Sequence, residues 1–151
     1  MTIAWIPTAL SENAASTLVA ALLGAAIGAE REWRRHPGGL RSCALVAAAA
    51  CVFARIAVAH GGSNPGAGLG AIASGVGFLG AGVIMHEGAH VRGLSTAATF
   101  WAVAAIGTAA GLVEYGMAMA LTVVVFFAHV GLRPLSAWID RVAPPEEKGP
   151  M

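Results

Sequence analysis

AATFWAVAAIGTAAGLVEYGMAMALTVVVFFAHVGL, residues 97–132, carries one carboxylate, Glu114, and no Lys or Arg. A helix crossing a bilayer needs about 20 apolar residues, so this run is long enough for two spans. Only Glu114, Tyr115 and Gly116 can separate them, which forces a tight antiparallel hairpin. The runs are continuous rather than alternating, so they read as helices and not as barrel strands.

Working outward, the same pattern recurs at 14–29, 40–59 and 69–85, giving with 97–113 and 115–132 five predicted transmembrane helices. The composition agrees: 57% of the 151 residues are hydrophobic, 11% are charged, and the mean hydropathy is +0.72. Lipid is then the solvent for most of the backbone, which must satisfy its hydrogen bonds within helices. No Lys or Arg precedes the first run and Glu12 does, so it reads as a retained helix rather than a cleaved leader. Helix one is expected to overrun the membrane to Trp33 and to break at His36-Pro37-Gly38-Gly39. The stretch Gly61-Gly62-Ser63-Asn64-Pro65-Gly66 reads as a turn, and Ser95 or Thr96 as a cap of helix four.

In a five-span arrangement Arg31, Arg34, Arg35, Arg41, Arg92, Arg133, Arg141 and Lys148 fall on one side and no Lys or Arg on the other. Cationic loops stay in the cytoplasm during insertion, which predicts the N-terminus outside and the C-terminus inside. Residues 132–142, with Leu135, Trp138 and Ile139 among charges, read as a short interfacial helix. Residues 1–143 are thus expected to form one all-α membrane domain and 144–151 a disordered cytoplasmic tail.

A net charge of +1 argues against nucleic acid as a partner. Cys43 and Cys51, eight positions apart on one helix, lie roughly 12 Å apart, beyond the reach of a disulfide; both read as buried small hydrophobes. Membrane helices approach through small side chains, and Gly24, Gly28, Gly107 and Gly111 fall at four-residue spacing for that purpose. Helix three runs Ser74-Gly75-Val76-Gly77-Phe78-Leu79-Gly80-Ala81-Gly82, whose glycines, Gly80 and Gly82 included, suit tight helix contact. A partly unwound helix exposing carbonyls to a solute is the other reading.

Arg55 is a cation within a span: a functional group, or a side chain that snorkels outward with Glu114 as its partner. Glu30 reads as an ion-pair partner of Arg34 one turn on, or as functional. His86-Glu87-Gly88-Ala89-His90 matches the zinc-protease string H-E-x-x-H, which requires a stiff helix. Gly88 interrupts it and no third ligand is available on that side, Glu114 falling outside and His129 within helix five, so no metal site is expected.

The strings Gly24-Ala25-Ala26-Ile27-Gly28-Ala29-Glu30-Arg31-Glu32-Trp33-Arg34 and Gly39-Leu40-Arg41-Ser42 resemble the opening of the MgtC/SapB family. Ser74 through Met85 and Val91-Arg92-Gly93-Leu94-Ser95-Thr96-Ala97-Ala98-Thr99-Phe100-Trp101 resemble its two most recognisable segments. The resemblance extends from about residue 18 to residue 111 and more loosely through helix five. It implies a bacterial inner-membrane protein with five spans. It further implies a role like that of the family's best-known member, a virulence factor for survival in macrophages and growth at low magnesium, described as restraining the F-type ATP synthase. That member continues into a cytoplasmic domain that this chain is expected to lack, and it has other residues at the positions of His86 and His90. No catalytic residues come with the family.

The functional candidates are accordingly Glu30, Arg31, Arg41, Arg55, Ser74, Gly77, Glu87, Arg92, Ser95 and Thr96. The leading expectation is a non-enzymatic, cofactor-free membrane protein that modulates another membrane complex, ATP synthase included, or packs against itself. The alternative is a small homo-oligomeric transporter of magnesium or another solute.

Overall fold

The computed structural model describes residues 6–62, 64–87 and 90–142. Five helices carry the fold: α1 (Ile6–Trp33), α2 (Leu40–His60), α3 (Pro65–Val83), α4 (Leu94–Gly111) and α5 (Tyr115–Val142). Each contains a segment long and apolar enough to cross a membrane. A short antiparallel hairpin of β1 (Met85–Glu87) and β2 (His90–Arg92) joins α3 to α4. The tail at 144–151 falls outside the described residues.

Small residues decide which helices sit inside. Along α2, Cys43, Ala47, Ala50, Cys51 and Ala54 form one fully buried seam. Glycines of α1 and α4 close on it from two sides. A Cβ at Gly24 would lie 2.6 Å from the Cys43 carbonyl oxygen, one at Gly28 2.7 Å from that of Gly39, and one at Gly111 2.5 Å from that of Cys51. At Gly107 it would collide with the Ala47 carbonyl. Backbones this close gain dispersion contacts that larger side chains would prevent. Both cysteines are free thiols sealed in this seam.

Helix α4 is the hub, packing against α1, α2, α3 and α5. Its Val103, Ile106 and Ala110 are fully buried and join Ile27 of α1 and Ala118 of α5 in the apolar core. The α4–α5 connection is as short as the sequence requires, with Val113 held at φ 65 in the turn.

Helix α3 departs from expectation. It is one continuous helix, started by Asn64, whose side chain accepts from the Ala67 N–H, and by Pro65 at its first turn. No partly unwound segment interrupts it. Nor do its glycines mostly serve packing within the chain. Gly80 touches Ala97 at ordinary van der Waals distance and Gly68 meets Ala57, whereas Gly70, Gly75, Gly77 and Gly82 face nothing within 4 Å. Gly82 is therefore not an internal packing glycine.

Three further differences concern boundaries. Residues 132–142 do not form a separate helix: α5 continues through Pro134 to Val142. Neither Ser95 nor Thr96 caps α4, whose N-cap is Gly93 at φ 92, a left-handed conformation that glycine adopts without steric penalty. His86, Glu87 and His90 of that string lie on two paired strands, with His86 opposite Val91 and Glu87 opposite His90. It is thus not on the helix that the zinc chemistry needs.

Candidate functional site

The chain turns from α1 into α2 around Arg31. Its side chain, 3% exposed, reaches across the turn and into α4. Nε donates to the Pro37 and Gly38 carbonyls at 3.2 Å each, and Nη2 to Pro37 O at 2.6 Å. Nη2 also donates to Thr96 Oγ1 at 2.8 Å and Nη1 to Thr99 Oγ1 at 3.0 Å. The planar guanidinium fork suits this task because it presents donors in several fixed directions at once. Gly38, at φ 74, lets the turn lie against the Phe100 ring, which a Cβ there would strike at 2.8 Å. The Glu32 carboxylate accepts from the Leu40 N–H at 2.8 Å, supplying the helix α2 N-terminus with the cap that Gly39 lacks.

Beside Arg31 the Glu30 carboxylate pairs with Arg34 and faces His129 of α5, with Nδ1 3.4 Å from Oε2. The His129 Nε2 lies 3.1 Å from Thr99 Oγ1, so one hydroxyl ties Arg31 to His129. Glu30, Arg34, His36, Ser95, His129 and Ser136 border a cleft of about 290 Å³ at this end of the bundle.

Donor accounting gives this cluster its chemistry. The Thr99 hydroxyl donates its one hydrogen to the Ser95 carbonyl at 2.7 Å and accepts from Arg31. Its remaining lone pair then takes a hydrogen from His129 Nε2, which leaves Nδ1 of a neutral ring as an acceptor. That nitrogen has no hydrogen-bond partner, and it faces a carboxylate. Two acceptors repel, so the contact between α1 and α5 holds when a proton sits between Nδ1 and Oε2. The site can therefore bind or release a proton at a helix junction.

Of the residues singled out from sequence, Glu30, Arg31 and Thr96 meet here and Ser95 lines the cleft. Arg41 is exposed on the first turn of α2, Arg92 is exposed on β2, and Ser74 and Gly77 lie on the outer face of α3. The Glu87 side chain lies outside the described residues. Arg55 lies fifteen residues after Leu40, about 22 Å along α2, at the other end of the bundle. It turns inward, donating through Nη1 to Ser16 Oγ at 3.1 Å and to Gly111 O at 3.4 Å. No ion pair joins it to Glu114 among the described residues, so it does not snorkel onto that partner.

Sequence reasoning passes over Thr99 and His129. Both carried a readable signal: Thr99 stands one turn beyond Thr96 on the same helix face, and His129 is a titratable group within an otherwise apolar span.

The model of the MgtC family matches residues 17–138, a range that contains the whole cluster. A Salmonella typhimurium protein named MgtC is 48% identical over 125 residues, 83% of this chain and 54% of that protein. A Brucella abortus protein of the same name is 43% identical over 132 residues, 87% of this chain and 55% of that protein. An uncharacterised Synechocystis protein is 41% identical over 131 residues, 86% and 56% of the two chains. The chain thus spans about half the length of the curated relatives it matches. No solved structure matches it.

Proposed function

The chain belongs to the MgtC family, and from that premise we propose that it is a non-enzymatic inner-membrane regulator that acts by docking a helix face on another membrane complex. The F-type ATP synthase is the first complex to test, and adaptation to low magnesium is the first phenotype. In this reading the N-terminus faces outward and the hairpin between α3 and α4 faces the cytoplasm, as the distribution of Lys and Arg supports.

The observation that carries the reading is the outer face of α3. Gly70, Ser74, Gly77 and Ala81 recur at helical spacing on one exposed stripe, and Phe78 beside it is 81% exposed. Small side chains in lipid are valuable where two backbones approach, yet Gly70 and Gly77 meet nothing in this chain. A helix of a partner fits such a stripe. The continuity of α3 removes the broken helix that motivated transport through it.

A photo-crosslinking residue at Ser74, introduced in native membranes under magnesium limitation, tests the reading. A crosslink to a defined membrane complex is expected, and Gly77→Leu should abolish it while leaving helix content unchanged. Crosslinks to lipid alone, together with unaltered cellular ATP and low-magnesium growth in a deletion strain, would sink the proposal.

A further inference from the structure

Arg55 poses a problem of charge. It stands within a membrane span with no carboxylate at ion-pairing distance among the described residues, and an intramembrane cation without a counter-charge is unfavourable. Only its Nη1 is engaged, with a hydroxyl and a carbonyl; Nε and Nη2 have no hydrogen-bond partner among the described residues. The Ser16 hydroxyl it touches is itself held by the Tyr115 hydroxyl at 2.8 Å, so the guanidinium is braced from one side and open on the other.

The open side is a cleft of about 520 Å³. Asn13 and His60 add polar groups to it, while Val52, Ile56 and Val113 supply apolar wall. Val113 is the β-branched residue held at φ 65, a conformation such side chains seldom adopt and one that collects at ligand sites. Ile56 and Val113 are themselves half exposed, so the cleft opens onto the protein surface near the ends of the spans rather than into a sealed interior.

We propose that this cleft binds the headgroup of one anionic phospholipid, its phosphodiester on Arg55 and its glycerol and upper acyl chain along Val52 and Ile56. An oxyanion matches the unoccupied donors of the guanidinium fork in geometry and charge. The apolar walls favour an amphiphile over free phosphate, because Val52 and Ile56 can cover an acyl chain, whereas inorganic phosphate would lose hydration against them for no more than the Arg55 contact that both ligands make. A zwitterionic lipid carries its own ammonium and leaves the Arg55 charge unbalanced, so the preference is for phosphatidylglycerol over phosphatidylcholine.

Native mass spectrometry of the full chain, stripped of lipid in detergent and then given defined probes, reads the site directly. Phosphatidylglycerol should persist as a single adduct and be retained roughly tenfold less by Arg55→Gln, the effect expected of one charge-assisted contact. Arg55→Lys should fall between, keeping the charge and losing the fork. Ile56→Trp narrows the cleft from a half-exposed position with Arg55 intact, and should also reduce the adduct, so the test does not depend on Arg55 variants folding. Phosphatidylcholine, diacylglycerol and inorganic phosphate should leave no comparable adduct. Undiminished retention by Arg55→Gln or Ile56→Trp overturns the proposal; so does equal retention of phosphatidylcholine, or binding of inorganic phosphate at Arg55 in place of lipid.

Discussion

A glycine in this protein is indispensable or neutral according to what its missing side chain would touch. Gly107 lies directly on the Ala47 carbonyl, whereas Gly77, equally helical, faces open space. Gly107→Ala should destabilise the protein by about 1–3 kcal/mol, the range for forced overpacking, and Gly77→Ala should stay within about 0.5 kcal/mol. Thermal or detergent-induced unfolding measures both. Arg31 makes the same point for a polar group. Arg31→Lys retains the charge but cannot serve Pro37, Thr96 and Thr99 together, and the loss should reach about 2 kcal/mol or more because buried acceptors are left unpaired. Four-residue spacing made Gly24, Gly28, Gly107 and Gly111 readable in advance. The threonine partners of Arg31 on α4 were not readable, because they lie 65 and 68 positions away and are joined to it only by folding.

Between elements, one contact of α1 with α5, that of Glu30 with His129, depends on a proton. The Glu30–His129 contact is present while a proton lies between the two facing acceptors and is lost as rising pH removes it. Hydrogen exchange in the 123–132 part of α5 should therefore rise with pH more steeply than the intrinsic exchange rate does. Arg31, Arg34 and His36 are the other charged or titratable groups bordering the cleft. Glu30→Gln brings its own amide donor toward Nδ1, and should flatten the pH dependence while leaving α5 in place. An unchanged profile in that variant would refute the role assigned to the pair. The elements themselves were legible to different degrees. Length and apolarity mark the five long helices, since the bilayer imposes both. The β1–β2 hairpin left no such mark: three-residue strands carry too little pattern, and their pairing follows from the need to return from α3 to α4 through Gly93. Residues 132–142 misled because Leu135, Trp138 and Ile139 among charges look like a separate interfacial helix, yet α5 runs on through Pro134, one missing N–H being too little to end it.

The molecule as a whole has a dense centre of α1, α2 and α4, with α3 and the far end of α5 outside it. That arrangement supplies a clean assay of orientation. Cys43 and Cys51 are sealed in the α2 seam, so they should not react with a membrane-impermeant maleimide in intact cells. A cysteine placed at the exposed Val91 is expected to label only after the cytoplasmic face is opened; labelling from outside would reverse the proposed topology. Charge asymmetry is what the proposed orientation rests on, and family strings marked the Glu30 region. The central place of α4 was hidden, because its apolar pattern resembles that of its neighbours and α1 also carries two glycines on the α2 seam. The hub also follows α1, α2 and α3 in the chain and so leaves the ribosome after them. Through most of synthesis one flank of the α2 seam stands uncovered in the lipid, and α3 arrives before the helix it leans on. A polypeptide halted before residue 94 should consequently be short-lived and subject to membrane proteolysis, which pulse-chase of truncated chains would reveal as a sharp gain in lifetime once translation passes residue 111.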